Sequence, residues 1–193
     1  ISVGIKADKF VPVSNERQKE LKRKYGLDPA KPLVIHVGHC SKGRGLEDFA
    51  KIRTAQRMVV ASGMFEDENV IRMLNEANVR IHKGYLENVE EIYQMADAYL
   101  FPTRSAEFVI SIPLSVMEAL SCGVPVIGYK SFENLKEIRG TNGSVTLIDD
   151  ANQIDSFLPE VIKKKCDHSL LEKPESWSEV AHMVLKVVLE GNT

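Results

Sequence analysis

Short apolar runs alternate with amphipathic stretches along most of this chain. The apolar runs predict buried strands, and the segments between them carry helical spacing. This alternation is typical of a parallel sheet covered by helices. The predicted strands are residues 33–38, 57–62, 79–82, 98–101, 124–129 and 145–148. We therefore predict an α/β fold, a three-layer Rossmann-like domain with a mostly parallel sheet of about six strands.

Helical spacing defines most of the remaining segments. Helices are predicted at residues 14–25, 69–77, 89–96, 113–122, 150–165 and 175–190, and a further helix begins near Leu46. Gly26 ends the first helix and Gly63 stops the second strand, because glycine tolerates the backbone conformations that terminate such elements. The last helix has a periodic apolar stripe that we expect to face the core. Its members are Trp177, Val180, Ala181, Val184, Leu185 and Val188.

The bulk composition excludes several classes of function. The 193 residues have 44% hydrophobic content, enough to bury one sizeable core. With 25 basic and 27 acidic residues the net charge is −2, which gives no footprint for nucleic acid. No apolar run approaches the roughly 20 residues that a transmembrane segment needs. Cys40, Cys122 and Cys166 are odd in number and lack metal-ligand spacing, which favours a reducing compartment and a cytoplasmic location.

A glycine-rich basic loop follows the first predicted strand. It reads Gly38-His39-Cys40-Ser41-Lys42-Gly43-Arg44-Gly45. In open α/β sheets, ligands bind beyond the C-terminal ends of the strands, where such glycines permit close backbone approach. Lys42 and Arg44 would supply cations for an anionic ligand. The loop matches neither common phosphate-binding glycine motif, and taken alone it is equally consistent with an ordinary turn bearing solvated charges.

The fourth predicted strand is followed by a loop and then by a helix that begins at Pro113. A helix N-terminus presents free amides and a positive dipole end to a phosphate. Glu118 lies in the second turn, where its carboxylate could accept two hydrogen bonds from a vicinal diol such as ribose. A solvent-facing glutamate is the alternative. The order of these parts suits a nucleoside diphosphate, and composition and spacing lead no further than a nucleotide-type ligand.

A family resemblance adds more. The segments VIHVGHCSKGRGLEDF (34–49), VVASG (59–63), VRIHKGYLENVEEIYQMADAYLFPT (79–103) and ISIPLSVMEALSCGVPVIGY (110–129) occur in this order. Together they resemble the C-terminal, donor-binding domain of retaining GT-B glycosyltransferases of the group 1 (family four) class. The resemblance covers nearly the whole chain. It implies transfer of a sugar from a UDP-, GDP- or ADP-sugar with retention at the anomeric carbon, and no obligatory metal or cofactor.

The resemblance also implies roles for single residues. Arg44 would neutralise the departing diphosphate, with Lys42 as a second candidate, and Glu118 would bind ribose. Tyr85 would stack on the base or be an ordinary surface tyrosine. Amides of the loop before the helix would bind phosphate. The donor-contacting positions implied in this way are Gly38, His39, Gly45, Gly63, Tyr85, Ser111, Ile112, Leu114 and Glu118.

Three positions depart from the family pattern. Ile110 stands where the family has the first glutamate of its E-x7-E motif, and an isoleucine cannot hydrogen-bond a sugar hydroxyl. Glu107, three residues earlier, is a weak substitute for that catalytic position. Pro113 replaces a glycine and removes one phosphate-binding amide, and His39 replaces an arginine, which weakens a phosphate contact.

The resemblance divides the chain into three parts. Residues 1–13 would be a remnant of an interdomain linker, residues 14–174 the Rossmann-like donor-binding domain, and residues 175–193 the closing helix. The first residue is Ile1, which suggests a piece of a longer protein. A missing N-terminal domain would bind the acceptor (a sugar, lipid or polysaccharide), so we expect this chain to be inactive alone. Attachment of the full-length protein to the inner face of a membrane stays open.

Two alternatives to an enzyme half remain at this stage. One is a catalytically degenerate nucleotide-sugar-binding module, which Ile110 and Pro113 motivate. The other is a GT-B sugar-nucleotide epimerase, although the glycine-rich loop and the helix with Glu118 suit transferases better. A nicotinamide dehydrogenase is least favoured, because the dinucleotide fingerprint is missing.

Overall fold

A computed structural model describes residues 5–6, 8–105, 113–135, 144–164 and 177–190. One six-stranded sheet runs through the described residues in the order β3-β2-β1-β4-β5-β6. The strands are β1 (Leu33–Cys40), β2 (Gln56–Glu66), β3 (Arg80–Lys83), β4 (Ala98–Leu100), β5 (Val126–Tyr129) and β6 (Val145–Ile148). Every described pairing is parallel. The predicted α/β fold with about six strands is therefore confirmed.

Helices connect the strands. They are α1 (Asn15–Lys24), α2 (Glu68–Glu76), α3 (Val89–Gln94), α4 (Leu114–Ser121), α5 (Ile154–Lys163) and α6 (Trp177–Glu190), with short 3-10 helices at Leu46–Lys51 and Ala151–Gln153. Local side chains explain several starts: Ser14 accepts a hydrogen bond from the Arg17 amide, and Asp67 accepts from the amides of Asn69 and Val70. Such caps satisfy amides that have no partner within a first turn.

Apolar side chains on the two faces of the sheet form two cores. Along β1, Leu33 and Ile35 face one core while Val34 faces the other, as the period of two in a strand requires. Helices α1, α3 and α4 contribute Leu21, Ile92, Val116 and Leu120 to the first core. The second core contains Phe49 from the 3-10 helix that follows β1, Leu74 from α2 and Leu158 from α5. This arrangement gives the predicted three layers.

The chain reverses its direction of travel across the sheet between β1 and β4. It moves outward from β1 to β2 and β3, then returns to place β4 beside β1 before moving out to β5 and β6. The loops after β1 and β4 therefore leave the sheet side by side and diverge. The crevice at such a switch point is where ligands bind in open α/β sheets.

Gly63 does not end the second strand, so that prediction is wrong. β2 continues to Glu66, and Gly63 has φ +77 within it. The pairing register shifts between Gly38 and Cys40, with Cys40 opposite Glu66. A glycine in the left-handed region allows a bulge, and a bulge lets a strand resume pairing after extra residues.

The apolar stripe of α6 does not face the core, so that prediction is wrong. Val180 is buried, but Val184 and Leu185 are 37% and 58% exposed. Helical spacing correctly predicted the helix, because period alone defines an apolar face. It could not predict the surface against which that face packs. No described helix is both long enough and apolar enough to cross a membrane.

Candidate functional site

A cavity of about 330 Å³ lies at the switch point between β1 and β4. Its walls come from the end of β1, the glycine-rich loop, helix α3, the residue after β4 and the start of α4 from its N-cap to its second turn. Five residues predicted from the sequence to contact the donor meet here. They are Gly38, His39, Arg44, Leu114 and Glu118.

Arg44 is the residue in the cavity lining whose side chain stays positively charged at neutral pH. Its side chain is partly buried, and among the described residues no carboxylate lies within ion-pair distance of it. Burial lowers the pKa of its guanidinium, but an arginine remains charged at neutral pH. A partly desolvated cation without a counter-ion favours an anionic ligand. Lys42, the second predicted cation, is exposed and does not line the cavity.

Glu118 faces the same cavity from the second turn of α4. It is partly buried, so the alternative of a solvent-facing glutamate does not hold. The Tyr93 hydroxyl donates a 2.7 Å hydrogen bond to Oε2 of Glu118. Burial raises the pKa of Glu118, while the bond from Tyr93 lowers it. The bond from Tyr93 thus occupies Oε2, one of the two carboxylate oxygens of Glu118.

The N-terminus of α4 points at the cavity between Arg44 and Glu118. Pro113 is its N-cap and provides no side-chain acceptor for the first-turn amides. Pro113, Leu114 and Ser115 all line the cavity. Uncapped amides at a helix start, together with the helix dipole, form a binding surface for phosphate oxygens.

Gly45, which was predicted to contact the donor, does not line the cavity and instead lets two loops approach each other. It has φ +74, and a Cβ built there would lie 2.3 Å from the Pro102 carbonyl oxygen. The Thr103 hydroxyl donates to the Arg44 carbonyl oxygen at 3.4 Å. A larger residue at position 45 would force the loop after β1 away from the loop after β4. Gly45 thus contributes to the position of Arg44.

An ion-paired cluster, formed by Asp48, Arg104 and Tyr129, joins the same two loops. Asp48 is buried, and its Oδ2 accepts bonds from Arg104 at 2.8 Å and from the Tyr129 hydroxyl at 2.5 Å. The Arg104 guanidinium lies 3.9 Å from the centroid of the Tyr129 ring. Burial raises the pKa of Asp48, and both donors lower it. The cluster connects the 3-10 helix after β1 to the ends of β4 and β5.

Tyr85 lines a neighbouring cavity of about 250 Å³ rather than the first one. The two cavities share Leu114 and Glu118, so they are adjacent. The Tyr85 side chain is 89% exposed and available for stacking on a planar ligand. Gly63 is exposed and lies beside Gly84, outside both linings. The predicted positions Glu107, Ser111 and Ile112, and the departing position Ile110, lie outside the described residues.

Sequence reasoning missed three polar residues of the cavity wall, His36, Tyr93 and Ser115. His36 is buried in β1, where its Nδ1 lies 3.2 Å from the Leu100 carbonyl oxygen and its Nε2 has no hydrogen-bond partner among the described residues. Burial is the main reason that the pKa of His36 is lowered to about 4; the bond to the Leu100 carbonyl oxygen raises this pKa, and the nearby charge of Arg44 contributes to lowering it. A histidine inside the apolar run LVIHVG was the signal for a special environment.

A third cavity, of about 230 Å³, lies at the opposite edge of the sheet, before β4 and β5. Its polar wall includes Gln18 and Asp97, which bond to each other, and Asp97 also pairs with Lys22 at 2.6 Å. Asp97, the charged residue of this lining, is thus paired within the protein. The switch-point cavity holds Arg44, which has no ion-pair partner among the described residues, and is therefore the better candidate for an anionic ligand.

The fold and the cavity define a class of protein. A six-stranded parallel sheet of this order, with loops that diverge over a switch point, is a Rossmann-like α/β domain, and the family and structural matches that follow assign it to the C-terminal type of GT-B glycosyltransferase domain. The chain belongs to the family described as Glycosyl transferases group 1, whose sequence model matches residues 31–186. This finding confirms the predicted family.

A curated relative supports the same assignment. The chain is 29% identical over 119 residues to N-acetyl-alpha-D-glucosaminyl L-malate synthase of Bacillus anthracis. The match covers 56% of this chain but only 30% of the relative. The matched part of this chain thus spans about a third of that enzyme's length.

Solved structures share the fold. Sucrose-phosphate synthase from Thermosynechococcus elongatus superposes with a TM-score of 0.71 at 18% identity, covering 97% of this chain and 51% of that one. HepE from Anabaena, in complex with UDP-glucose, gives 0.73 at 13% identity, covering 96% and 56%. The C-terminal domain of the Francisella tularensis group 1 protein LpcC gives 0.58 at 16% identity, covering 94% and 98%.

Proposed function

We propose that this chain binds the nucleotide-sugar donor of a retaining glycosyltransferase. The observation that carries the proposal is the convergence of Arg44, the N-terminus of α4 and Glu118 on one cavity at the switch point. A cation and free amides suit a diphosphate, and a carboxylate suits the diol of ribose. The complex of HepE with UDP-glucose supports a nucleotide-sugar ligand for this fold.

Different residues of the cavity would bind the phosphates, the ribose and the base, and Arg44 would also assist departure of the diphosphate. Arg44 and the amides at Leu114 and Ser115 hold the phosphates, and Arg44 stabilises the negative charge that grows as the sugar leaves. Glu118 holds the ribose, and the cavity beside Tyr85 receives the base. Glu107 and Lys42 remain secondary candidates for contacts with the sugar and the phosphate. We propose retention at the anomeric carbon because the resemblance to retaining glycosyltransferases implies it.

The acceptor would be a sugar, lipid or polysaccharide held by a second domain in the full-length protein. Since this chain matches only 51% and 56% of two structures of its fold, an acceptor half elsewhere is a consistent proposal. Transfer requires a closed cleft from which water is excluded. We therefore expect the chain alone to transfer little sugar. We also propose a cytoplasmic location for the full-length protein, on the basis of its cysteine content.

A second candidate is a binding module that has lost catalysis. Ile110 favours it, because the family's first motif glutamate is absent at that position. The two candidates share donor binding and differ in turnover by the full-length protein. Turnover that collapses in Glu118→Ala and Arg44→Ala variants would reject the degenerate module.

Donor binding is tested by the melting temperature of the chain with UDP, GDP and ADP. A ligand present at about 100 times its Kd stabilises a protein by about 2.7 kcal/mol, which corresponds to roughly 5–10 °C for a chain of this size. We expect such a shift with at least one of the three nucleotides at millimolar concentration. No shift with any of them would contradict the proposal.

Two variants locate the binding. Arg44→Ala and Glu118→Ala should each weaken binding by roughly tenfold or more, because each removes a charged hydrogen-bonding partner. Lys51→Ala and Glu76→Ala are the matched controls, since both remove an exposed charge outside the cavity. Undiminished affinity in both cavity variants would place the nucleotide elsewhere.

A further inference from the structure

Tyr93 fixes one side of the Glu118 carboxylate. It is fully buried in α3, and its hydroxyl donates to Oε2 of Glu118 at 2.7 Å. Among the described residues no donor reaches Oε1 of Glu118. Both side chains line the switch-point cavity. Because a tyrosine hydroxyl carries one hydrogen, this bond determines which oxygen faces the protein and which remains for a ligand.

The Tyr93 ring is itself held on two sides. Phe10 packs edge-on against it, with centroids 5.7 Å apart at 74°. Tyr99 stacks against it at 6.0 Å and 30°. The Tyr99 hydroxyl in turn donates to Ser115 Oγ at 2.8 Å, one turn before Glu118 on α4. A ring restrained in this way delivers its hydroxyl to one place.

We propose that Tyr93 is a positioning residue that turns the Oε1 atom of Glu118 toward the cavity to accept hydrogen bonds from a ribose diol. This inference rests on the proposed function and deepens it, since it makes the site selective for ribonucleotides over 2′-deoxyribonucleotides. A buried carboxylate oxygen without a donor is costly. Loss of the Tyr93 hydroxyl would therefore let the carboxylate rotate toward another donor and away from the diol.

The test is Tyr93→Phe, which keeps the aromatic packing against Phe10 and Tyr99 and removes only the hydroxyl. The Kd values of UDP, GDP and ADP and of their 2′-deoxy counterparts are measured by titration calorimetry. The wild-type chain should prefer the ribose form of its nucleotide by roughly tenfold or more. In Tyr93→Phe, the ratio of the two Kd values should fall to about threefold or less.

Tyr99→Phe is the matched control, because it removes the hydroxyl of the stacked tyrosine that contacts Ser115 rather than Glu118. Its ribose-to-deoxyribose ratio should remain that of the wild type, even where stability falls. An unchanged ratio in Tyr93→Phe, or an equal loss in Tyr99→Phe, overturns the positioning role and leaves the proposed function standing. A wild-type chain that binds both sugar forms equally also overturns it. Binding of no nucleotide at all contradicts the proposed function itself.

Discussion

At the scale of single residues, burial sets the charges around the switch-point cavity. It lowers the pKa of His36 to about 4, so that this ring is neutral at physiological pH. It raises the pKa of Glu118, whereas Arg44 keeps its charge. A neutral imidazole at His36 adds no further positive charge beside Arg44. The balance suits a ligand with an anionic part and a hydroxyl-bearing part.

His36 makes stability dependent on pH. Its pKa is lower in the folded chain (about 4) than the ordinary value of 6.5, so the unfolded chain binds the proton more readily. The neutral, buried His36 ring therefore contributes fully to the free energy of unfolding above pH 6.5, and this contribution is lost as the pH falls toward 4. It amounts to roughly 3 kcal/mol. Urea unfolding of the wild type and of His36→Leu, measured from pH 7 to 4, should show a shallower decline in the variant. Parallel curves would contradict this assignment.

The residues of the cavity differ in how far the sequence could predict them. Arg44 and Glu118 were predictable, because each follows a strand at the edge of the sheet where ligands bind. Tyr93 was not, because its bond to Glu118 joins two helices across 25 residues of sequence. Its hydroxyl finds a partner only after the two helices pack on the sheet. Such contacts depend on tertiary geometry rather than on spacing.

At the scale of elements, the loops after β1 and β4 depend on each other. Gly45 approaches Pro102, Thr103 donates to the Arg44 carbonyl oxygen, and Asp48 pairs with Arg104. The position of the cavity's cation is therefore set by contacts outside the cavity. We expect damage to these contacts to loosen the glycine-rich loop as well as to lower stability.

Asp48→Asn tests that dependence. The variant weakens two hydrogen bonds to a buried carboxylate, so the free energy of unfolding should fall by about 1–3 kcal/mol. Asp149→Asn is the matched control: it breaks the exposed Lys130–Asp149 pair of 2.6 Å and should change stability by about 0.5 kcal/mol or less. Denaturant unfolding of both variants provides the comparison. An Asp48→Asn effect as small as the control would show that the cluster does not hold the loops.

Strands and helices were predicted correctly where the neighbouring residues alone determine where the element begins and ends. The strand at Val145–Ile148 and the first helix after Ser14 follow from apolar runs and a capping residue. Gly63 was misinterpreted, because a glycine that ends a strand and one that forms a bulge give the same local signal. The direction of the α6 stripe was also wrong, because period defines a face without defining its partner.

At the scale of the whole molecule, the cavity that best suits an anionic ligand among the described residues lies at the edge where β1 and β4 end. The cavity before β4 and β5 has its charges paired within the protein, whereas the switch-point cavity presents Arg44 unpaired among the described residues. The chain spans about half of the sucrose-phosphate synthase and HepE structures that share its fold. A donor-binding half is consistent with both facts.

The central claim is that a nucleoside diphosphate binds at the switch point, and amide chemical shifts of the 15N-labelled chain test it most directly. On addition of UDP, GDP or ADP, the largest perturbations should fall on Gly38, His39 and Arg44 and on the first two turns of α4. The amides of Gln18, Asp97 and Gly123, at the opposite edge, should change little. Perturbations centred on those three residues, or none with any nucleotide at millimolar concentration, would contradict the account.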